Sequence, residues 1–300
     1  MMNLSKIKKL IFFPLVLIAL IYEPIESKTK VLRIGAIPDQ NQEILDRRFS
    51  LLSKELSREM NIEVKYIPVV NYIAAVSGFR TKSLDLVWFG GLSGVQARLQ
   101  TPGSIVLAQR DIDKEFKSVF IVNKKQKLKQ ISKIEDLKKL KDLRFTFGSE
   151  NSTSGRLMPQ YFLNKAGLKL TDFKSRRVGF SGSHDATIAL VNSGSYDAGV
   201  LNKQIWDRTL THSKVMTKNV SEFFVTPPYV DYHWISQGNL DEKFNKGFTK
   251  RLKHTILNFK KSNPEQKIIL DMFRAKKFIE ADVEQYNQIE SIARKLKKIR

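Results

Sequence analysis

Three adjacent hydroxyl side chains stand between a strand-like run and a helix-like run in the stretch FGSENSTSGRLMP (147–159). They belong to Ser152, Thr153 and Ser154, and Gly155 follows, where the missing side chain lets a ligand approach the backbone. Backbone N–H groups at a helix start are free and favour negative charge, and hydroxyls add further donors. The pattern therefore fits an anion-binding loop. A plain helix cap needs only one of the three hydroxyls, so that interpretation also stays open.

Other candidate side chains lie in comparable positions. Small polar residues, SGSHD (181–185), follow another strand-like run, and His184 there can donate a hydrogen bond to an anion, although a surface histidine at a helix entry is the alternative. Trp88 lies near the end of the apolar run LDLVWFG and can wall a pocket. Asp231 and Tyr232 follow two prolines that suggest a stiff crossover. A carboxylate suits an anion site if the ligand carries an O–H that the carboxylate can accept.

Residue sets typical of enzymes and metal sites are missing from the sequence. There is no cysteine, which removes thiolate nucleophiles, thiolate metal ligands and disulfides together. No G-x-S-x-G, H-E-x-x-H or Walker A motif occurs, and the four histidines are not at metal-ligand spacing. We therefore expect no catalytic residue, no metal and no cofactor. A trio of a serine, His184 and Asp231 could be assembled, so an exported enzyme remains the alternative.

The N-terminus has the pattern of a secretory signal peptide. Lys6, Lys8 and Lys9 precede an apolar run of thirteen residues, 10–22. This run is shorter than the roughly 20 residues that a bilayer span needs. The residues after it lack an A-x-A cleavage pattern, so a retained N-terminal membrane anchor is the alternative. We predict a signal peptide over 1–27 and a periplasmic location for the rest of the chain.

The net charge of the chain is +22, which raises the local concentration of anions. Nucleic-acid binding is one interpretation of such a charge. Lysine and arginine are, however, spread along the whole chain with acidic residues between them, and no nucleic-acid motif appears. We therefore expect lysine-rich solvated surfaces and no nucleic-acid partner. Separately, we expect the protein to be a monomer.

Strand-like and helix-like runs alternate along the chain, which is the α/β pattern of parallel sheets flanked by helices. In a first unit we predict strands at 31–37, 63–69, 84–90 and 104–110 and helices at 42–60, 72–81 and 91–100. In a second unit we predict strands at 118–124, 144–149, 175–180 and 196–201 and helices at 133–143, 155–165, 185–192 and from 203. The tail from 241 is predicted to be helical. Two such units suggest two lobes with a cleft, in which a ligand meets the carboxyl ends of the strands.

Several of these segments together resemble the phosphate-, phosphite- and phosphonate-binding proteins of ABC transporters. The similar segments are IGAIPDQN, LDLVWFGGLSGVQARLQ, AQRDID, NSTSGRLMP, SGSHDATIALVNSGSYDAG and TPPYVDYHW, and the resemblance covers about 31–270. It implies a type II periplasmic-binding-protein fold, with lobe one at 28–112 plus 232–300 and lobe two at 113–231. It also implies two crossovers, closure about a hinge, and an ABC transporter permease as the membrane partner.

The resemblance further implies a set of ligand-binding residues. In the family a Ser-Thr-Ser loop binds the oxyanion, a histidine starts a helix, an acid precedes the second crossover, and aromatic side chains from lobe one form walls. The corresponding positions here, with Tyr232 added beside the acid and Gln40 by its loop position, are Ser152, Thr153, Ser154, His184, Asp231, Tyr232, Tyr72, Trp88 and Gln40. Members that bind 2-aminoethylphosphonate have a carboxylate in the segment after DAG, where this chain reads VLNKQ and offers Asn202.

The choice among tetrahedral anions depends on Asp231. Selenate and sulfate have no O–H near neutral pH, and a buried carboxylate facing them would stay unpaired at a cost of about 3–5 kcal/mol. Phosphite, phosphate and phosphonates can carry a proton and donate it. The bulky Tyr72 and Trp88 favour a small ligand, so we predict phosphite or methylphosphonate. Similar proteins are also labelled selenate-binding, and selenate, sulfate and phosphate remain the alternatives.

Overall fold

The computed structural model describes residues 30–299, so the predicted signal peptide at 1–27 lies outside the described residues. Within 30–299 the chain forms eleven strands and eleven α-helices, joined by short turns. The strands are β1 (Val31–Ala36), β2 (Glu63–Tyr66), β3 (Leu86–Phe89), β4 (Ile105–Arg110), β5 (Ser118–Asn123), β6 (Phe145–Phe147), β7 (Gly179–Phe180), β8 (Ala198–Asn202), β9 (Val220–Val225), β10 (His233–Ser236) and β11 (Phe278–Glu280).

The helices pack on the faces of the sheets that these strands form. They are α1 (Gln42–Met60), α2 (Tyr72–Arg80), α3 (Gly91–Gln100), α4 (Met158–Lys165), α5 (His184–Ser193), α6 (Lys203–His212), α7 (Lys214–Thr217), α8 (Leu240–Lys243), α9 (Phe248–Leu257), α10 (Pro264–Phe273) and α11 (Asn287–Lys295). Among residues 30–299 we find no helix with the length and apolar character that crossing a bilayer requires.

The strands form two separate sheets. The first has the order β11-β4-β10-β3-β1-β2 and the second the order β7-β6-β8-β5-β9. In the first sheet β1, β2 and β3 are parallel, and β10 lies antiparallel between β3 and β4. In the second, β6 is parallel to β7 and β8, while β5 is antiparallel to β8 and β9. We call the elements around the first sheet lobe one and those around the second lobe two; the predicted two-lobed α/β fold is confirmed.

Two connecting segments run side by side between the lobes. The chain leaves lobe one after β4 and returns to it just before β10. The segments pair where Phe116 and Tyr229 exchange backbone hydrogen bonds of 2.8 and 2.9 Å. Two residues further on, the Asp231 N–H donates to the Asp113 carbonyl at 3.1 Å. This pairing fixes the position of Asp231 at the point where the chain re-enters lobe one.

Helix α1 illustrates why the local sequence forms the predicted elements. The Asn41 side chain caps it by accepting a hydrogen bond from the Glu43 N–H at 2.8 Å. Leu45, Phe49 and Leu56 recur at helical spacing and are buried against the first sheet. The predicted bounds of this helix are confirmed, and its capped start lies at the cleft.

Two predicted elements of lobe two take another form. The segment 134–140 forms 3-10 turns rather than an α-helix. Its apolar residues are spaced three apart from Ile134 to Leu143, which fits the three-residue period of a 3-10 helix. The strand predicted at 175–180 is reduced to β7, because Ser175 has a left-handed backbone with φ of 57° inside a 3-10 turn.

The prediction of parallel sheets is wrong in part. β5, β9, β10 and β11 run antiparallel to neighbours, and the prediction does not include β9, β10 or β11. β5 and β10 are the strands by which the chain enters one lobe and re-enters the other. When the chain crosses from one lobe to the other, the first strand that it adds to the new sheet lies antiparallel to its neighbours there. The helical tail predicted from 241 is interrupted by β11, which completes the first sheet.

Candidate ligand-binding site

The start of helix α3 directs its free N–H groups at the seam between the lobes. The Gly91 N–H donates to Asp231 Oδ1 at 2.8 Å, and the Leu92 N–H donates to Thr153 Oγ1 at 2.9 Å. A side chain at Gly90 would crowd these oxygens, since a Cβ there would lie 3.2 Å from Asp231 Oδ1. A helix start of lobe one thus meets a hydroxyl of lobe two and the acid of the returning crossover, as its dipole favours.

The three adjacent hydroxyls lie on and just before a single turn of π-helix, Thr153–Leu157, which leads into α4. Ser152 caps this turn, because its Oγ accepts from the Gly155 N–H at 2.9 Å. Thr153 reaches lobe one, as described above. Ser154 Oγ is buried and makes no hydrogen bond of normal geometry within residues 30–299, although Ser154 acts to lower the pKa of the neighbouring Tyr229. One hydroxyl therefore caps the turn, one joins the two lobes, and the Ser154 hydroxyl is left as an unused donor.

Asp231 is a buried carboxylate, 1% exposed, whose two oxygens differ. Oδ1 accepts from the Gly91 N–H, while Oδ2 has no hydrogen-bond partner in the described part of the chain. Burial raises the pKa of Asp231 to about 7, although hydrogen bonds from the Gly91 N–H and the Thr153 hydroxyl act to lower it. Asp231 therefore changes protonation state near neutral pH, and its free oxygen can either accept or donate a hydrogen bond.

His184, Asp39 and Tyr232 form a second polar group. The Tyr232 hydroxyl donates to Asp39 Oδ2 at 2.8 Å and lies 3.5 Å from His184 Nε2. The backbone N–H of His184 donates to the backbone carbonyl of Asp39 at 3.0 Å. Burial lowers the pKa of His184, with the Asp39 charge opposing it, so the imidazole is neutral. The Asn202 N–H donates to Nδ1 at 3.4 Å, which leaves the ring proton on Nε2. His184 therefore presents an N–H donor on the Tyr232 side.

Tyr72 connects the two polar groups. It is buried, and the nearby Ser152 side chain acts to lower its pKa. Burial raises the pKa of Tyr72 well above its usual range, and the charges of Asp39 and Asp231 add to this rise. The pKa of Tyr232 is raised by burial and by the same two carboxylates. The hydroxyl loop, Asp231 and the histidine group therefore surround one small polar region between the lobes.

Trp88 lies in a layer behind Tyr232. Its ring stacks on the Tyr232 ring with centroids 5.6 Å apart and packs edge-on against Phe273. The Arg110 guanidinium, which pairs with Asp113 at 2.5 Å, lies 4.9 Å from the centroid of the Tyr232 ring. This layer holds the Tyr232 hydroxyl in position. Trp88 thus acts on the polar region through Tyr232.

The remaining predicted residues lie at the edge of the polar region. Asn202 Oδ1 caps α6 by accepting from the Gln204 N–H at 2.8 Å, and Gln40 is buried and lines a groove where α1 and α6 face each other. Asp39 is the residue of the site that the sequence analysis misses. Its loop, PDQN, is recognisable because it follows a strand. The local sequence does not, however, indicate that Asp39 rather than the adjacent Gln40 belongs to the site. The signal that distinguishes Asp39 is the Tyr232 hydroxyl, which is distant in sequence.

A two-lobed α/β fold with a buried polar region at the seam between the lobes defines a solute-binding protein of the periplasmic type. The region can hold an oxyanion through O–H and N–H donors and can exchange one proton with it through Asp231. Within residues 30–299 neither buried histidine, His184 or His233, hydrogen-bonds to a serine hydroxyl, as a catalytic serine would require.

Comparisons with known proteins give the family. Residues 34–286 match the family of ABC transporter phosphonate periplasmic substrate-binding proteins, and the chain belongs to this family. A relative described as "Probable ABC transporter phosphite binding protein PhnD1", from Prochlorococcus marinus, is 66% identical over 277 residues, which are 92% of this chain and 93% of the relative. The "Phosphonates-binding periplasmic protein" of Escherichia coli is 26% identical over 276 residues, 90% of this chain and 78% of that protein.

The structural comparison agrees with the sequence comparison. The solved structure of PhnD1 from Prochlorococcus marinus in complex with methylphosphonate has 67% sequence identity and a TM-score of 0.89, and the match covers 90% of this chain and 99% of that chain. These relatives are transport proteins rather than enzymes. The chain is therefore the substrate-binding component of an ABC importer.

Proposed function

We propose that this chain captures a small phosphorus oxyanion, with phosphite or methylphosphonate preferred. The observation that carries the proposal is the buried Asp231, whose Oδ2 is free and whose pKa is raised to about 7. An oxyanion with one O–H can donate it to this oxygen, whereas an oxyanion without a proton leaves two negative charges in contact. Asp231 therefore selects a ligand that shares a proton with it.

The other residues of the site supply donors for the remaining oxygens of the ligand. Ser154 Oγ is free and the neutral His184 offers Nε2–H, while the Ser152 and Thr153 hydroxyls can rotate their protons toward an oxyanion. Hydrogen bonds to a charged oxyanion contribute about 1.5–3 kcal/mol each, so this set suits a ligand with two or three anionic oxygens. The side chain of Tyr72 limits the space for a substituent on phosphorus.

The relatives support the same ligand class. The relative that is 66% identical is named a probable phosphite-binding protein. The solved structure of PhnD1 from Prochlorococcus marinus is a complex with methylphosphonate. A zwitterionic aminophosphonate would need an acid for its ammonium group, and the end of β8 and the start of α6 offer Asn202 and Gln204 instead. We therefore infer a preference for uncharged substituents on phosphorus.

The proposal includes the setting in which the protein works. We infer that the chain is exported, acts as a monomer in the periplasm and delivers its ligand to an ABC permease. We also infer hinge closure between lobe one at 28–112 plus 232–300 and lobe two at 113–231. The distribution of the strands between the two sheets supports these boundaries. The membership in a family of periplasmic binding proteins supports the location.

Calorimetric titration of the purified protein at pH 8 tests the ligand. The panel contains phosphite, methylphosphonate, phosphate, 2-aminoethylphosphonate, sulfate and selenate. We expect phosphite or methylphosphonate to bind most tightly and to raise the melting temperature most, because only the folded protein binds them. Tighter binding of sulfate or selenate than of phosphite would refute the selection by Asp231. A dimer in light scattering would refute the monomer.

A further inference from the structure

A groove of about 670 Å³ lies on the outer side of the seam, between α1 and α10 of lobe one and α6 of lobe two. Three guanidinium groups line it, from Arg48, Arg274 and Arg208. Apolar side chains, Ile44 and Ile268 among them, complete its walls. Both lobes contribute cations, so the complete groove exists only when the lobes are closed.

Arg48 is the buried cation of the groove. It is 6% exposed, and its Nε has no hydrogen-bond partner within residues 30–299. Its guanidinium lies 5.4 Å from the centroid of the Phe273 ring. Burial lowers the pKa of Arg48, with the charge of Asp39 opposing this and Arg110 and Arg208 adding to it. A buried cation with an unused donor is destabilising unless an anion pairs with it.

Arg274 and Arg208 add charge from the two sides of the seam. The Arg274 guanidinium donates to the Gln204 carbonyl of lobe two. Burial lowers the pKa of Arg274 to about 10, and the nearby Arg208, Arg110 and Arg48 lower it further. Arg208 makes no ion pair or side-chain hydrogen bond among the described residues. Repulsion among these guanidinium groups opposes closure. An anion bound between them would attract all three and would favour closure instead.

The carboxylates near the groove are already occupied. Asp271 on the rim pairs with Lys261 and with Lys267, each at 2.6 Å. Asp207 pairs with Lys203 at 2.5 Å. Asp39 accepts from the Tyr232 hydroxyl and faces the polar region described above. The three guanidinium groups of the groove therefore keep a net positive charge that the described residues do not neutralise.

We propose that this groove is a second anion site, which takes a condensed or esterified phosphate carrying two or more negative charges. Guanidinium groups match phosphate oxygens by paired N–H donors, and the three of them carry more positive charge than one small oxyanion with one or two negative charges neutralises. Because both lobes supply these cations, the bound anion stabilises closure and so strengthens binding in the polar region at the same time. The site is separate from that of the proposed function: its coupling to the polar region rests on the proposed hinge closure, whereas its direct binding of the anion does not.

The probe for the groove is inorganic pyrophosphate, titrated by calorimetry in the presence and absence of saturating methylphosphonate. We expect pyrophosphate to bind the wild-type protein in both conditions, more tightly when methylphosphonate is present. Arg208→Gln should weaken this binding about tenfold or more, because one charged donor is lost. It should also abolish the mutual strengthening, while methylphosphonate alone still binds. Arg177→Gln, an exposed arginine of lobe two, is the control with the same change in charge and should behave as wild type.

Three outcomes would overturn the proposal. One is no binding of pyrophosphate to the wild-type protein in either condition. Another is binding that Arg208→Gln and Arg274→Gln leave unchanged. The third is simple competition between pyrophosphate and methylphosphonate, which would assign pyrophosphate to the polar region. Ser154→Ala separates the two sites further, since it should weaken methylphosphonate and leave direct binding of pyrophosphate intact. If methylphosphonate fails to bind while pyrophosphate binds through Arg208, only the proposed function fails.

Discussion

At the scale of single residues, we propose that one carboxylate decides which anions the site accepts. Asp231 has a free, buried oxygen and a pKa raised to about 7, so ligand and protein together hold one shared proton. A monoprotonated phosphorus oxyanion brings this proton itself. A sulfate ion brings none, so Asp231 must take up a proton from water before sulfate can bind without repulsion. Selection between these anions is therefore linked to pH.

The first prediction concerns sulfate affinity as a function of pH. Above about pH 7 Asp231 is charged in the ligand-free protein, and sulfate binding requires proton uptake. Sulfate affinity should therefore rise about tenfold for each unit by which the pH falls between roughly 9 and 7, and level off below about 7. Displacement of bound methylphosphonate by sulfate, followed by calorimetry at several pH values, measures this.

The variant Asp231→Asn serves as the comparison for this prediction. Asparagine can still accept the Gly91 N–H, and its NH2 group donates at every pH. Sulfate should bind the variant with little pH dependence, and more tightly than it binds wild type at pH 9. A flat profile in the wild-type protein, or the same slope in both proteins, would contradict the role of Asp231.

The second prediction separates stability from binding at Ser154. Its Oγ has no partner within residues 30–299, so Ser154→Ala should change the free energy of unfolding little. Affinity for methylphosphonate should fall about tenfold or more, because a donor to a charged oxygen is lost. Urea unfolding and calorimetry measure the two quantities.

Ser118→Ala is the matched control for Ser154→Ala. Ser118 Oγ donates to the Ser154 carbonyl at 2.8 Å and contacts the Tyr229 hydroxyl at 2.6 Å, so its loss should cost about 1 kcal/mol of stability. Its effect on affinity should be smaller than that of Ser154→Ala. Wild-type affinity in Ser154→Ala would exclude Ser154 from the ligand-binding set.

At the scale of elements, the site depends on the first turns of two helical segments, which meet across the seam. The first turn of α3 and the π-helical turn at Thr153–Leu157 each direct polar groups at the other, and the Leu92 N–H to Thr153 hydrogen bond joins them. A π turn adds one residue per turn and is frequent at functional sites. Here it lets three successive hydroxyls take three different roles.

The third prediction tests the close approach at the start of α3. Gly90 has φ of −78°, which alanine adopts without strain, but its methyl group would lie 3.2 Å from Asp231 Oδ1 and 3.3 Å from Thr153 Oγ1. Gly90→Ala should therefore keep most of the stability and lose at least about tenfold in methylphosphonate affinity, since the methyl group displaces the polar side chains. Chemical denaturation and calorimetry measure the two effects.

Gly94→Ala provides the contrast on the same helix. A methyl group there would lie 2.4 Å from the buried His233 ring, so overpacking should cost about 1–3 kcal/mol of unfolding free energy. Affinity corrected for the folded fraction should fall less than in Gly90→Ala. Unchanged affinity in Gly90→Ala would contradict the claim that a methyl group at position 90 crowds Asp231 and Thr153.

How far the sequence predicts these elements depends on whether the information is local. The bounds of α1 follow from its cap and its apolar period, and the hydroxyl loop is recognisable because it lies between a strand and a helix. The three-residue spacing of the apolar residues also explains why 134–140 forms 3-10 turns. The antiparallel β10 is not local, because its neighbours β3 and β4 precede it by more than a hundred residues.

The same distinction separates the predicted site residues from the missed one. Ser152 to Ser154, His184 and Asp231 stand out by type and position in their own loops. Asp39 acquires its place from the hydroxyl of Tyr232, which is 193 positions away. Trp88 looks from the sequence like a wall of the pocket, but the stacking with Tyr232 that defines its place is likewise non-local. Pairing between distant segments is what local patterns do not contain.

At the scale of the whole molecule, contacts outside the polar region join the two lobes across the seam. The Asn41 N–H at the start of α1 donates to Asp185 Oδ2 of lobe two at 2.8 Å. Arg274 reaches the Gln204 carbonyl, and the Gln96 side chain reaches Asn151 at 3.1 Å. If the lobes close about a hinge as proposed, each such contact lengthens the lifetime of the closed form without recognising the anion.

The net charge of +22 acts at the same scale but at another step. It raises the rate at which anions meet the open cleft, and this effect weakens with salt. Contacts across the seam form only after encounter, so they govern release. Association and dissociation therefore depend on different features of the molecule, and a variant can change one without the other.

The last prediction uses this separation. Asp185→Ala removes the carboxylate that binds the Asn41 N–H, so the closed form should open faster and the dissociation rate of methylphosphonate should rise several-fold. The association rate should stay nearly constant, because the lobes are apart at encounter. Stopped-flow tryptophan fluorescence measures both rates. Asp136→Ala removes the same charge from an ion pair with Lys139 in lobe two and should leave both rates unchanged. A lower association rate with unchanged dissociation would place Asp185 in capture of the ligand rather than in closure.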